Sequence, residues 1–355
     1  MKKMSDLAKK EQKLAYKLLL PTLIILILIA FYPLGQVFYT SFTDKEFASS
    51  NETHFVGFDN YKKLLSLNIE ELEPILNENG EQKIDPETNE PVYERPIDVL
   101  PREPVRYKEF KVFNIFGKRY VLGATDPYFI SALGNTLTFT IISVFLETVI
   151  GMIIALVVNS NFKGRGAMRA VMLIPWAVIT VVSARMWEWM LNSNRTGFFN
   201  ILLDKFNLAD GQIAFLSKDS LQLPSMIAVD VWKTAPFMAL LILAGLQLIP
   251  ENLYEAARID GAGKVKQFFT ITLPLLKPSL AVALIFRTLD ALRVFDVFQV
   301  LLSSKKYSLA SYNYFQLIKS REMGMASSIG VVIFVLIFVF AVSYIRLLGV
   351  DQNAN

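Results

Sequence analysis

Six long apolar runs limit the fold of this sequence more than any other feature. Separated by polar stretches, they cover residues 18–42, 133–158, 170–190, 226–249, 279–302 and 329–348. A helix of roughly 20 residues crosses a bilayer, because each residue adds about 1.5 Å and the hydrocarbon core is about 30 Å thick. The runs therefore predict an all-α membrane protein with six transmembrane helices.

Basic residues indicate how these helices are oriented. Six lysines precede the first run: Lys2, Lys3, Lys9, Lys10, Lys13 and Lys17. Because cytoplasmic segments are enriched in Lys and Arg, we expect the tail 1–17 in the cytoplasm, transmembrane helix 1 at 18–42 and the loop 43–132 outside. The connection 159–169 is then internal and carries Lys163, Arg165 and Arg169. The loop before the sixth run also has more basic than acidic residues, which fits this orientation less well.

The external loop contains an insert at residues 68–126 that is rich in proline and acidic residues. It has no apolar run that could cross a membrane. Apolar residues between Phe110 and Val121 flank Gly117 and Lys118, a pattern that favours a small β-hairpin. We therefore expect a partly ordered external insert, with a disordered loop as the alternative.

Several kinds of chemistry lack the residues they need. The chain has no cysteine and one histidine, His54, which lies among polar residues typical of a solvated loop. We predict no catalytic residues, no metal site and no cofactor. A phosphate-binding loop is also absent, because Arg258 and Val265 stand where the Gly261-Ala-Gly263-Lys264 segment would need a glycine and a Ser or Thr.

A distinctive motif lies in the loop 250–278, between the fourth and fifth runs. Pro250 and Asn252 can begin a helix, and Gly261 and Gly263 can end it. The spacing of its residues resembles the EAA loop of ABC importer permeases at Glu255, Ala256, Ala257, Gly261, Ile271, Leu273 and Pro274. The resemblance implies a short helix that docks in a cleft of an ATPase subunit. The residues it assigns to this coupling are Glu255, Ala256, Ala257, Asp260, Gly261 and Ala262.

Other segments resemble the carbohydrate branch of these permeases, such as those for maltose and multiple sugars. They are Phe31-Tyr-Pro33, Val56-Gly57, Asn60-Tyr61, Asn135-Thr136, Gly164-Arg165-Gly166, Pro175-Trp176 and Trp187. The insert and the Ser303–Lys306 loop depart from that pattern. The resemblance implies the type I importer fold, with a permease core at 133–348 and a tail at 349–355.

The implied function is that of a multi-pass cell-membrane permease subunit that translocates a sugar-like solute. The subunit itself is not an enzyme. The implied partners are a second homologous permease, two ATPase subunits that hydrolyse ATP, an extracytoplasmic solute-binding protein and membrane lipid, with no nucleic acid.

Charged residues inside the fourth and fifth runs indicate a candidate path for the solute. Charges within membrane spans are costly and normally face the bundle interior or a water-filled cavity. By resemblance to the maltose permease, the path residues are Lys233, Thr234, Phe237, Arg287, Asp290 and Val294, and we add the neighbouring Trp232 of the fourth run. The alternative is an Arg287–Asp290 pair that only holds helices together. We interpret Glu147 as structural, and Arg185 with Glu188 as an interfacial pair.

Two other classes of function fit the sequence less well. An ion-coupled secondary transporter would use Asp230, Asp290 and Asp296 as proton or cation sites, but this class does not explain the EAA pattern. A membrane enzyme would need a recognisable set of reactive residues outside the membrane, and none stands at a recognisable spacing.

Overall fold

A computed structural model of the chain describes residues 6–87, 89–194, 196–208, 212–303 and 305–347. The chain divides into two compact units. The first comprises Met1–Leu64 and Asn313–Val332, and the second comprises Leu65–Tyr312 and Ile333–Asn355.

Helices make up most of the chain. In chain order they are α1 Asp6–Leu26, α2 Tyr32–Thr40, α3 Asp59–Leu65, α4 Pro96–Val99, α5 Pro127–Asn159, α6 Arg165–Val171, α7 Ile174–Ala177, α8 Thr180–Met190, α9 Phe198–Lys205, α10 Asp219–Leu246, α11 Glu251–Ile259, α12 Lys264–Gln267, α13 Leu273–Leu292, α14 Asp296–Leu301, α15 Leu309–Tyr314 and α16 Met323–Leu347. Three π-helical turns adjoin them at Ile27–Phe31, Phe268–Thr272 and Phe315–Lys319.

Within the described residues, five helical stretches are long and apolar enough to cross a membrane. They are Lys10–Thr40, Pro127–Asn159, Asp219–Leu246, Lys264–Leu301 and Met323–Leu347. The third apolar run is not one straight helix, because α6–α7 and α8 meet at an angle of 86°. Counted as one broken span, this pair brings the total to six, in agreement with the predicted fold class.

The first unit is held together around the chain that follows α2. The Asn60 side chain donates hydrogen bonds of 2.9 Å to the carbonyl oxygens of both Ser41 and Thr43. The Ser328 hydroxyl donates to the Ser41 carbonyl at 2.9 Å. Any side chain at Gly324 would collide with the backbone, since a Cβ atom there would lie 2.0 Å from the Thr43 carbonyl oxygen. These contacts give a structural role to Asn60, which belongs to the Asn60-Tyr61 segment noted in the sequence.

The insert between the first and second spans contains a three-stranded antiparallel sheet in the order β1–β3–β2. Its strands are β1 Leu67–Leu72, β2 Lys108–Ile115 and β3 Lys118–Ala124. The chain turns between β2 and β3 at Phe116 and Gly117, both with positive φ. The hairpin predicted around Gly117 is therefore confirmed. Buried Leu72, Leu100 and Val121 form its small core.

The core of the second unit lies where α10 packs between α5 and α13. Small residues allow the helices to approach closely, as is usual for helices inside a membrane. A Cβ atom on Gly151 of α5 would lie 3.1 Å from the backbone nitrogen of Ala239 on α10. A Cβ atom on Gly245 of α10 would lie 2.5 Å from the Ser279 Cβ atom on α13.

Candidate functional site

The loop between α10 and α13 forms the short helix that the sequence predicts. Helix α11 begins after Pro250 and ends at Ile259. Gly261 follows with a φ of +77°. Its N–H donates to the Arg258 carbonyl at 3.1 Å, and the Ala262 N–H donates to the Ala257 carbonyl at 2.8 Å. This pair of bonds is a Schellman motif, in which the left-handed residue is usually glycine.

One side of α11 is attached to the rest of the second unit, and the other side is open. The Tyr254 hydroxyl lies 2.9 Å from the Thr272 hydroxyl at the start of the fifth span. None of the helix's nine residues is buried. Glu255 and Ala256 are exposed, and Ile259 is 87% exposed. The free side of α11 therefore presents both an acidic and an apolar side chain.

A cluster of charges joins α5, α10 and α13 in the middle of the second unit. The guanidinium group of Arg287 donates through Nε and Nη2 to both carboxylate oxygens of Glu147, with an Nη2–Oε1 distance of 2.9 Å. Nη2 also donates to Asp230, and Nη1 donates to Asp290 Oδ2 at 3.1 Å. The side chains of Arg287 and Glu147 are 2% and 0% exposed, whereas that of Asp290 is 68% exposed.

Lys233 and Phe237, which lie one turn apart on α10, contact the bent segment of the third span. The Lys233 ammonium group donates to the carbonyl oxygens of Trp176 at 3.2 Å and Val178 at 2.6 Å. These carbonyls lie at the end of α7, where helical hydrogen bonding stops. The Phe237 ring stacks on the Trp176 ring with 5.1 Å between centroids. Both side chains therefore fix the bend between α7 and α8.

A cavity of about 180 Å³ lies beside the charge cluster. It is lined by Thr180, Asp230, Lys233, Thr234, Arg287, Asp290, Ala291, Arg293, Val294, Phe295, Asp296 and Val297. The structure thus brings together five of the seven predicted path residues. The other two predicted residues are not among those that line this cavity. Phe237 stacks on Trp176, and Trp232 packs against Trp187 with 5.5 Å between ring centroids.

Sequence reasoning placed Arg287 beside Asp290 but did not identify its other two partners. A carboxylate within an otherwise apolar run is the available signal for Glu147, since a buried charge needs a partner. Its spacing of 140 residues from Arg287 gives no indication of which partner it has. Within the described ranges, no group of three or more His, Cys, Asp or Glu side chains is arranged to hold a metal ion.

The sequence matches the profile of a protein family over residues 147–350. This family is described as the inner membrane component of binding-protein-dependent transport systems. The chain belongs to this family. It is accordingly a permease subunit of an importer and a transport component rather than an enzyme. The matched segment contains the charge cluster, the cavity and α11.

Two curated relatives extend the match. The permease is 46% identical over 217 residues to the trehalose/maltose transport system permease protein MalF of Thermococcus litoralis, an alignment that covers 59% of this chain and 72% of that protein. It is 31% identical over 341 residues to the trehalose transport system permease protein SugA of Mycobacterium tuberculosis, which covers 96% and 90% of the two chains.

A solved structure shows the same fold. The permease superposes on a chain of a bacterial ABC transporter involved in the import of the acidic polysaccharide alginate with a TM-score of 0.67, over 97% of this chain and 98% of that one. The two sequences are 22% identical. The predicted type I ABC importer fold is therefore confirmed.

Proposed function

We propose that this permease subunit forms part of the path by which an ATP-driven, binding-protein-dependent importer carries a sugar-like solute across the cell membrane. The solute class comprises sugars, oligosaccharides and polyol derivatives. One observation carries the proposal: the exposed helix α11 lies in the loop that connects α10 and α13, the two helices that bear the charged wall of the cavity.

Because α10 and α13 are joined through the loop that contains α11, a displacement of α11 by the ATPase would move the helices that line the cavity. Helix α10 carries Asp230 and leads into α11 through Pro250, and α13 carries Arg287 and follows α11 through the π-helical turn Phe268–Thr272. The Asp230–Arg287 contact joins these helices again at the cavity. Movement of α11 therefore displaces both helices together, and solute access and nucleotide state share one free-energy cycle.

The cavity wall suits a solute with many hydroxyl groups. Asp290 supplies acceptor oxygens and Arg287 supplies an N–H donor, while Val294 offers an apolar surface for the C–H face of a sugar ring. The names of the relatives favour the same class of solute. Trp232 and Phe237 would then act by holding the aromatic residues of the third span.

The partners follow from the same proposal. A second homologous permease completes the path. Two ATPase subunits dock on α11 and on the equivalent helix of the second permease, and they hydrolyse ATP. An extracytoplasmic binding protein delivers the solute. In this proposal the N-terminus lies in the cytoplasm and the insert outside, as the lysine-rich start favours.

The test is reconstitution of the purified complex in proteoliposomes with its binding protein and radiolabelled trehalose or maltose. We expect uptake that requires both the binding protein and ATP on the ATPase side. Uptake driven by a proton or sodium gradient in the absence of ATP would instead establish an ion-coupled secondary transporter and refute the proposal. A matched complex that carries Gly261→Val serves as the coupling control.

A further inference from the structure

Glu147 is a fully buried carboxylate beside the cavity, and it does not form part of the cavity wall. It lies on α5, and its side chain is 0% exposed. Arg287 and Asp290 line the cavity, and within the described residues Glu147 lies outside that lining. Because a buried carboxylate is costly unless it is paired, its position needs an explanation in terms of its partners.

Glu147 binds Arg287 in a way that fixes the orientation of the whole guanidinium group. Nε and Nη2 donate to different oxygens of the one carboxylate, which is the bidentate arrangement. Two parallel bonds to one edge of a planar group prevent its rotation, whereas the single bonds from Asp230 and Asp290 do not. The Thr234 hydroxyl lies 2.6 Å from Glu147 Oε1 and also 2.6 Å from the Asp230 carbonyl oxygen, so its single proton serves one of the two acceptors at a time.

This arrangement leaves one edge of Arg287 for the cavity. A guanidinium group has five N–H donors. Two bonds to Glu147, one to Asp230 and one to Asp290 engage all but one, on Nη1. Nη1 lies beside the carboxylate of Asp290, whose side chain is 68% exposed and whose Oδ2 accepts the Nη1 bond. A hydrogen-bond donor and an acceptor are thus held side by side.

We propose that Glu147 is a positioning residue for solute recognition: it clamps Arg287 so that Nη1 and the Asp290 carboxylate face the cavity together and bind two neighbouring hydroxyl groups of an uncharged sugar. One hydroxyl accepts from Nη1, and the other donates to Asp290. This inference rests on the proposed function, because it names the chemistry by which the same cavity selects its solute.

The charges around the cavity agree with an uncharged solute. Three carboxylates and three basic groups line the cavity, the carboxylates being Asp230, Asp290 and Asp296 and the basic groups Lys233, Arg287 and Arg293. Lys233 and Arg287 are engaged by protein acceptors, and Arg293 Nε donates to the Leu289 carbonyl at 3.2 Å. The lining therefore has no net positive charge to attract a solute carboxylate or sulfonate, whereas its paired donors and acceptors suit hydroxyl groups.

The test compares transport of trehalose or maltose with transport of singly deoxygenated analogues by the complete importer. For the analogue that lacks a contacted hydroxyl, the wild-type rate should fall about tenfold, the effect of losing one hydrogen bond to the solute. The selectivity ratio is the transport rate of the natural sugar divided by that of the analogue. Glu147→Gln should lower this ratio toward one, since the amide nitrogen cannot accept an N–H bond and the bidentate clamp is lost. The same binding protein is used for both variants, so its own selectivity cancels.

Three controls separate positioning from simple charge neutralisation. Glu188→Gln removes an exposed carboxylate that pairs with Arg185 at 2.6 Å and should leave the ratio unchanged. The double variant Glu147→Gln, Arg287→Gln removes both buried charges. Recovery of wild-type rates and selectivity in the double variant would show that Glu147 only neutralises Arg287. If Glu147→Gln does not assemble, Thr234→Val, which removes only the hydroxyl that can donate to Glu147, should lower the same ratio, and an unchanged ratio would overturn the proposal.

A measurement without solute distinguishes failure of the clamp from failure of the proposed function. In an experimental structure of the assembled Glu147→Gln complex, the guanidinium should rotate away from Asp290. An unmoved guanidinium would overturn the clamp whatever the importer carries. An importer that moves neither sugar, with the guanidinium displaced in the variant, would count against the proposed solute and not against the clamp.

Discussion

Gly261→Val should weaken attachment of the ATPase by distorting the end of α11. The residue has a φ of +77°, a conformation that costs an L-amino acid about 1–2 kcal/mol and a β-branched one more. A Cβ atom there would meet nothing within 4 Å, so the cost arises from the backbone alone. The ratio of native to non-native loop conformations should fall by a factor of about 5–30.

Gly263 provides a matched control in the same loop. A Cβ atom at Gly263 also meets nothing within 4 Å, but its φ is −68°, which valine adopts without strain. Gly263→Val should therefore leave the end of α11 intact. Gly261→Asn should lie between wild type and Gly261→Val, because asparagine tolerates the left-handed region better than other residues.

The assay is the ratio of ATPase to permease in the purified complex, followed by solute-stimulated ATP hydrolysis and uptake in proteoliposomes. We expect Gly261→Val to lower the ATPase-to-permease ratio, or the solute-stimulated hydrolysis and uptake, or all of these. All membrane spans should still insert. Ala257→Glu, which places a bulky charge on α11, should have the same effect. Normal subunit ratio and normal stimulated transport in both variants would show that α11 is only a connector and would refute the coupling mechanism.

Three further outcomes follow from the second unit and the loops. Single cysteines at Ser50 and Ser160, in a chain without native cysteine, should react with impermeant reagents from outside and inside respectively, and reversed labelling would contradict the orientation. Lys233→Met should lower the melting temperature of the complex by removing the hydrogen bond to the Val178 carbonyl, worth about 1.5–3 kcal/mol, and an unchanged melting temperature would disprove this role. Asp290→Asn should reduce uptake about tenfold with normal assembly, since the side chain is largely exposed, and full uptake would exclude it from the solute path.

Local sequence patterns predicted the elements whose stability is local. The apolar runs correspond to helices because hydrophobic length alone decides whether a segment can span a bilayer. The bounds of these helices differ from the runs, since a helix does not end where its apolar residues end. Helix α1 begins at Asp6, well before the run at 18–42, because the lysine-rich segment has good helix propensity.

Features that depend on distant partners were not predictable in the same way. The run 170–190 reads as one continuous helix, yet it breaks at Val178 and Ile179. The acceptor of the Lys233 ammonium lies 55 residues away in the chain, at Val178, and no periodic pattern records that contact. The same holds for Glu147 and Arg287, since single-sequence patterns describe the faces of one helix and not the pairing of two.

The sheet of the insert has a consequence for how such permeases can change during evolution. Its first and last residues, Leu67 and Ala124, are partners in neighbouring strands, and the Thr125 N–H continues the ladder by donating to the Ser66 carbonyl at 3.2 Å. The two chain ends therefore lie next to each other at the base of the insert. A segment with adjoining ends can be shortened, enlarged or exchanged for another module without changing the spacing that the membrane helices need. Such a site is also suitable for grafting a reporter domain onto the transporter.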